Sequence, residues 1–311
     1  MLSTLSGCIQ DYLFGLYDSI HGLTYIFQLD KDEEFVTVNA IPQPSPRPRT
    51  VLQQRRELRG TVNRPAEQII RQRPRVWKRI LQCISLNVAL AIISQAFIYL
   101  FWFFIAFISP SAAQLANVAG RFLVLPVFLF TRILMALWFS DIAGACMRGL
   151  KLPDVPPVDL RYLVADLVVS LLLGVVFLVQ SIIVVYLPLP IISTFISFVH
   201  MSLLNSMYCF EYFWSSRGAS LTERIYRLEK HWCYFTGFGT WLTLASTLFG
   251  NFLLDGCVFG AVFPFFIISS YKANWKRETL GKQMPAVHIF TPSMLFTNRV
   301  VSLFVSTTVT S

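Results

Sequence analysis

The chain has 311 residues, of which 55% are hydrophobic and only 14% charged, with a mean hydropathy of +0.57. Soluble domains carry about a quarter charged residues, so an ordinary water-soluble domain is excluded and a membrane protein is expected. The net charge of +9 sits in one stretch: eleven Lys/Arg and two acids fall between Arg47 and Arg79, and the remainder is balanced at fifteen of each sign. Directly before an apolar run, such a block reads as a juxtamembrane segment facing cytosol and anionic lipid, not as a nucleic-acid surface.

In chain order, Ile9, Leu13, Leu16, Ile20, Leu23 and Phe27 recur in steps of four and three, which predicts an amphipathic helix over 1–30. Its other face is acidic, so this helix is expected to pack its apolar stripe on the protein's own cytosolic side rather than on anionic lipid. With Asp11 and Asp18, the start lacks the basic region and long apolar core of a cleavable signal peptide. Residues 31–79 turn polar, with Pro42, Pro44, Pro46 and Pro48 alternating, and read as a disordered basic cytosolic linker.

The membrane domain, 80–271, divides into apolar segments at about 80–108, 122–140, 163–187, 191–210, 234–254 and 257–270. The first exceeds the ~20 residues a bilayer requires, which implies tilt or an interfacial end. Pro188 and Pro190 break the chain after the third, and Asp255-Gly256 reads as a tight turn between the last two. Hairpins at 188–190 and 255–256 can cross fully or enter the membrane and return. The fold class is therefore an all-α multi-pass membrane protein of four to six membrane segments, with cytosolic amphipathic helices and a cytosolic tail over 272–311.

Basic residues cluster after the second and fourth segments and in the tail, which places both termini in the cytosol. Between the fourth and fifth segments, Ser220 and Glu223 form a capping box. Leu221, Ile225, Leu228 and Trp232 mark one apolar face there, and Glu223 and Arg227 are spaced to pair. This is a short amphipathic helix on the cytosolic surface. The tail stretch around Leu295, Phe296, Val300 and Leu303 is expected to dock back on the domain.

No chemistry-bearing motif stands out. There is no H-E-x-x-H, phosphate-cradling glycine loop or G-x-S-x-G, so neither enzymatic activity, a catalytic residue, a cofactor nor a metal site is expected. The six cysteines show no paired spacing, which argues for apolar fillers over a disulfide framework. Gly256 and Gly260 form a G-x-x-x-G suited to close helix packing.

The intramembrane polar candidates are Arg132, Asp166 and His200. A lone charge at the bilayer centre costs at least about 2.5–3.5 kcal/mol, so Arg132 needs a partner, for which Asp166 on the next segment is available. His200 reads as a hydrogen-bonded core residue before a proton relay. Asp141 and Glu211 mark membrane boundaries, with Tyr208, Tyr212 and Trp214 as an aromatic belt beside the latter. His200 and Glu211 share a helix face but lie roughly 16 Å apart, too far to form one site.

The stretch HMSLLNSMYCFEYFW (200–214) resembles the signature of the etoposide-induced protein 2.4 family. The similarity recurs in LWFSDIA (137–143), YFTGFG (234–239) and GCVFGAVFPFFIIS (256–269), and touches most of the chain except 31–64. The resemblance implies a multi-pass endoplasmic-reticulum membrane protein in autophagy, acting as autophagosomes mature and protein aggregates are cleared. Vertebrate members are linked to growth suppression and apoptosis. The bacterial sulfate-permease group is similar at a greater distance and implies the alternative of an anion or lipid transporter. The implied partners are membrane lipids and autophagy proteins, with no nucleic acid. Within DKDEEFVTV (30–38), Asp32, Glu33 and Glu34 precede Phe35, with Val38 three positions on. This is similar to the short motif that engages Atg8-family modifiers by strand addition, although such aromatic-x-x-aliphatic patterns also arise from composition alone.

Overall fold

The computed structural model describes residues 2–26, 28–29, 76–108, 113–150, 152, 160–186, 188–277 and 285–309. The basic linker, and with it Asp32, Glu33, Glu34, Phe35 and Val38, lies outside the described residues. Among the described residues the regular structure is helical: α1 (Leu2–His21), α2 (Val76–Ile108), α3 (Ala113–Gly149), α4 (Leu160–Val185), α5 (Pro190–Ser215), α6 (Leu221–Lys230), α7 (Trp232–Ala245), α8 (Phe252–Lys272) and α9 (Thr291–Val309). Stretches at Val76–Ile108, Pro126–Gly149, Ile191–Ser215 and Phe252–Lys272 are long and apolar enough to cross a membrane, and Leu172–Val184 of α4 is a shorter apolar run. The protein is an all-α multi-pass membrane protein.

Helix α2 shows why the composition is so apolar. Val76, Ile80, Cys83, Asn87, Leu90, Ser94 and Ile98 are buried, a narrow stripe in steps of three and four. Ile92, Ile93, Leu100, Phe103, Phe104 and Phe107 are exposed on the remaining faces. A helix apolar all round but packed along one seam is made for lipid. Helices α2, α3 and α8 pack together at one side, while α5 packs against α4, α7 and α8 at the centre. The main core gathers Phe210, Trp214, Phe235 and Phe238 into edge-to-face stacks.

Three expectations are corrected here. The fifth apolar segment ends at Ala245, so α7 has 14 residues and is too short to span. The turn falls at 246–251, where Gly250 adopts φ 60 and Asn251 caps α8 by accepting from Leu253 N. Asp255 and Gly256 are therefore helical, and Asp255 accepts the Phe249 N–H at 2.8 Å. Proline chemistry marked the earlier break correctly, with Pro190 opening α5.

Helix α1 is rotated relative to its apolar pattern. Ile9, Leu13 and Ile20 are about half exposed, whereas Gly15, Asp18, Ser19 and Gly22 are buried. The reason is steric. A Cβ on Gly15 would lie 2.0 Å from the Tyr234 carbonyl oxygen, and one on Gly237 would lie 2.0 Å from that of Tyr12. Close backbone approach of α1 and α7 thus selects the small face and leaves the large apolar one outside. The contacts between the two helices include Cys8–Cys233, Tyr12–Gly237 and Gly15 with Tyr234 and Phe238.

The first of those contacts is a disulfide, Cys8–Cys233, with Cα atoms 5.5 Å apart. It corrects the expectation that all six cysteines are fillers. A separation of 225 residues leaves no local spacing to read. Cys83, Cys146, Cys209 and Cys257 are buried and form no disulfide.

Candidate functional site

The stretch 200–214 lies on α5, and each polar residue in it holds a different neighbour. His200 Nδ1 donates to Ile196 O at 2.8 Å, and its Nε2 accepts from Gln180 Nε2 on α4 at 3.1 Å. The same Gln180 amide donates to Ile289 O at 3.1 Å, and Gln180 Oε1 accepts from Ser293 Oγ at 2.7 Å. Phe177 lies between the His200 ring and the Phe290 ring, stacked on both. Gln180 thereby joins α4 to α5, through His200, and to the start of α9.

Further along α5, Asn205 Nδ2 donates to Thr243 Oγ1 at 2.8 Å, and Ser206 Oγ donates to Phe235 O, both on α7. Between them α7 presses in closely, since a Cβ on Gly239 would lie 1.9 Å from Ser202 O. Glu211, near the end of α5, is held by protein rather than by solvent. It forms an ion pair with Arg224 of α6 and accepts from Ser170 Oγ of α4 at 3.1 Å. Arg224 is 3% exposed and also donates through Nε to Ala219 O at 2.8 Å. The aromatic belt is corrected with it: Trp214 is fully buried in the core. Losing either partner of so buried a pair strands a charge, at a cost of about 3–5 kcal/mol.

The remaining candidates lie apart. Arg132 on α3 donates to Gly256 O of α8, and its guanidinium sits 4.3 Å from the Phe128 ring centroid. Gly256 and Gly260 make the room: a Cβ on Gly260 would fall 2.3 Å from Arg132 Nη1 and 2.6 Å from Asn87 Oδ1. The G-x-x-x-G therefore accommodates polar side chains of α2 and α3. Asp166 belongs to α4, but its side chain lies outside the described residues. Asp141 pairs with Arg79 at 2.9 Å on a half-exposed surface, an arrangement worth less than about 1 kcal/mol.

Four polar residues were missed from sequence: Gln180, half-buried, and Asp18, Arg224 and Glu229, buried. Gln180, beside Ser181, interrupts the apolar run LLLGVVFLVQSIIVV, but a neutral amide carries no charge to mark it. Asp18 accepts from Tyr234 Oη at 2.7 Å and from Asn274 N at 3.0 Å. On α6, Ser220 caps Glu223 N and Glu223 pairs with Arg227, both as the capping-box reading predicts. Yet the same helix also buries Arg224 and Glu229. Glu229 accepts from Phe290 N at 2.9 Å and contacts His288 Nδ1 at 3.1 Å. The tail does dock, but through Phe290, Ser293 and Thr297, which are buried, while Leu295 and Phe296 are exposed. The polar junction at Gln180 and Glu229 turned that helix over relative to its apolar pattern. Leu303 has no described side chain.

A family described as Sulfate transporter CysZ/Etoposide-induced protein 2.4 matches residues 66–249. The chain is 38% identical over 302 residues to Ectopic P granules protein 4 of Caenorhabditis elegans, covering 97% of this chain and 94% of the relative. It is 30% identical over 248 residues to the Protein EI24 homolog of Dictyostelium discoideum, covering 73% and 76%. To the Protein EI24 homolog of Arabidopsis thaliana it is 26% identical over 221 residues, covering 60% and 67%. No solved structure matches. The stretch that ties α5 to its neighbours falls within the matched region, and the chain belongs to the Sulfate transporter CysZ/Etoposide-induced protein 2.4 family.

Proposed function

We propose that this protein is a non-enzymatic endoplasmic-reticulum membrane scaffold in autophagy, acting in autophagosome maturation and the clearance of protein aggregates, with both termini cytosolic. The observation that carries the reading is the 38% identity to the nematode relative named for ectopic P granules, which extends across 97% of the chain. The helix packing supports it. His200, Asn205, Ser206 and Glu211 all serve internal joints, as a rigid frame requires. The Asp32–Val38 segment is proposed to recruit Atg8-family modifiers, with its acids steering Phe35 and Val38 to a basic partner.

An anion conduit is not favoured, because Arg132 is engaged by the Gly256 carbonyl and the Phe128 ring. The test is deletion in cells, followed by an assay of aggregate clearance. Loss of clearance, restored by the full chain and not by one carrying Phe35→Ala and Val38→Ala, is the expected result. Normal clearance, together with Arg132-dependent anion flux in proteoliposomes, overturns the scaffold.

A further inference from the structure

Where α5 and α8 end, the chain forms a half-open groove of about 440 Å³ between the turn at 215–219, α6 and residues 273–276. That volume lies within the ~300–1,000 Å³ typical of small-ligand sites. Its charge is unbalanced. Arg217, Arg227 and Lys276 line it, against the single carboxylate of Glu223, which pairs with Arg227. Among the described residues no carboxylate pairs with Arg217 or Lys276.

All three cations rest on aromatic rings. Arg217 Cζ lies 4.8 Å from the Phe213 centroid, Arg227 Cζ 5.6 Å from that of Trp275, and Lys276 Nζ 5.0 Å from the same indole. A cation over a ring face is held in place without spending any N–H donor on that contact. Positioned cations with donors in reserve suit an oxyanion, and guanidinium groups suit phosphate in particular. The net local charge of two matches a phosphate monoester better than a phosphodiester, which carries one.

Position decides what bears that phosphate. The groove opens at the ends of two membrane-capable stretches, Ile191–Ser215 and Phe252–Lys272, where lipid headgroups lie. Trp275 and Phe213 are the amphipathic and apolar rings expected at that depth. We propose that this groove binds the monoester headgroup of an anionic membrane lipid, of the phosphatidic acid or phosphorylated inositol lipid class. The site is distinct from the basic linker at 47–79, and its recognition rests on shaped donors rather than on diffuse charge.

The full chain, purified in detergent, is incubated with equal amounts of phosphatidic acid, phosphatidylserine or phosphatidylcholine, and retained lipid is counted by native mass spectrometry. Phosphatidic acid should be retained several-fold over the other two, and Arg217→Ala with Lys276→Ala should reduce it to the phosphatidylserine level. Both side chains are exposed, so the thermal unfolding of the variant should be unchanged; should the double variant not fold, Arg217→Gln alone is read instead. Equal retention of phosphatidylserine, or full retention by the variant, overturns the site. Inorganic phosphate alone displacing the lipid at equal concentration identifies a soluble-anion site, and a glutamate-rich peptide displacing it better still identifies a peptide site. Either result overturns the lipid assignment.

Discussion

Tyr234 donates its hydroxyl to Asp18 Oδ2 at 2.7 Å, and the same oxygen accepts the backbone N–H of Asn274. One carboxylate thus pins α1 to α7 and to the end of α8. Burial, and then the Asp18 charge, push the Tyr234 hydroxyl well above its ordinary range, so it remains a donor throughout the working pH range.

Asp18→Ala leaves both donors without that acceptor, at about 1–3 kcal/mol for each one that stays unsatisfied. The expected result is a lower unfolding temperature in detergent and faster hydrogen exchange over residues 2–26. Asp18→Asn keeps a carbonyl oxygen in place and should lose less. If Asp18→Ala exchanges like the native protein, α1 is held by its close packing alone.

Gln180→Leu should release the tail. It removes the partner of His200 Nε2, Ile289 O and Ser293 Oγ in one step, so a loss of roughly 1–3 kcal/mol is expected. Limited proteolysis should then cut within 285–302 before the membrane helices open. Simultaneous loss of tail and core would mean that α9 is integral to the fold and not latched to it.

His231, between α6 and α7, supplies a pH dependence. Burial, and then the neighbouring Lys230 charge, lower its pKa from 6.5. The unfolded chain therefore binds a proton that the folded one resists, so stability is full above pH 6.5 and falls as pH drops towards the folded value. Unfolding temperatures at pH 7.5 and 5.5 should differ by less in His231→Phe than in the native chain. An unchanged difference would assign the acid sensitivity to other groups.

The turn before α8 can be located by labelling. A cysteine at Leu248, which is 66% exposed, should react with a maleimide many times faster than one at Gly256, where a Cβ would lie 2.5 Å from the Phe128 ring. The reverse order would restore a turn at 255–256.

Cys8 and Cys233 report orientation. The structure places the two at bonding distance, but disulfides are rare in a reducing cytosol. With the termini cytosolic as proposed, both should therefore be captured as thiols when cells are quenched in acid and alkylated in denaturant. A crosslink that survives alkylation and resists heating without reductant would put α1 on the luminal side and reverse the proposed topology.

Membrane character, helical class, the break at Pro190 and the capped α6 were all legible in sequence, because each rests on local chemistry. Local pattern failed where a distant polar group decided which face turned inward. Helix α1 follows Gly15 and Asp18 rather than Ile9 and Leu13, and α9 follows Ser293 rather than Leu295. In water, the larger apolar face would win both contests. In a membrane protein, lipid accommodates that face equally well, so close packing and buried hydrogen bonds decide. Glu211 misled for a related reason: its partner, Arg224, lay on a helix that the amphipathic pattern assigned to the surface.

The Asp18–Asn274 bond bridges 256 residues, and this bears on how the protein is made. Helix α1 leaves the ribosome well before the surfaces that receive Gly15 and Asp18, which are made only with Tyr234 and Asn274. At ~5–20 residues per second, the helix waits roughly 10–50 s for its seat. Through that interval a buried-type carboxylate and an apolar stripe are both without their final neighbours. The stripe that faces outward in the finished protein needs no burial in that interval, so the helix has only to present its small face and dock.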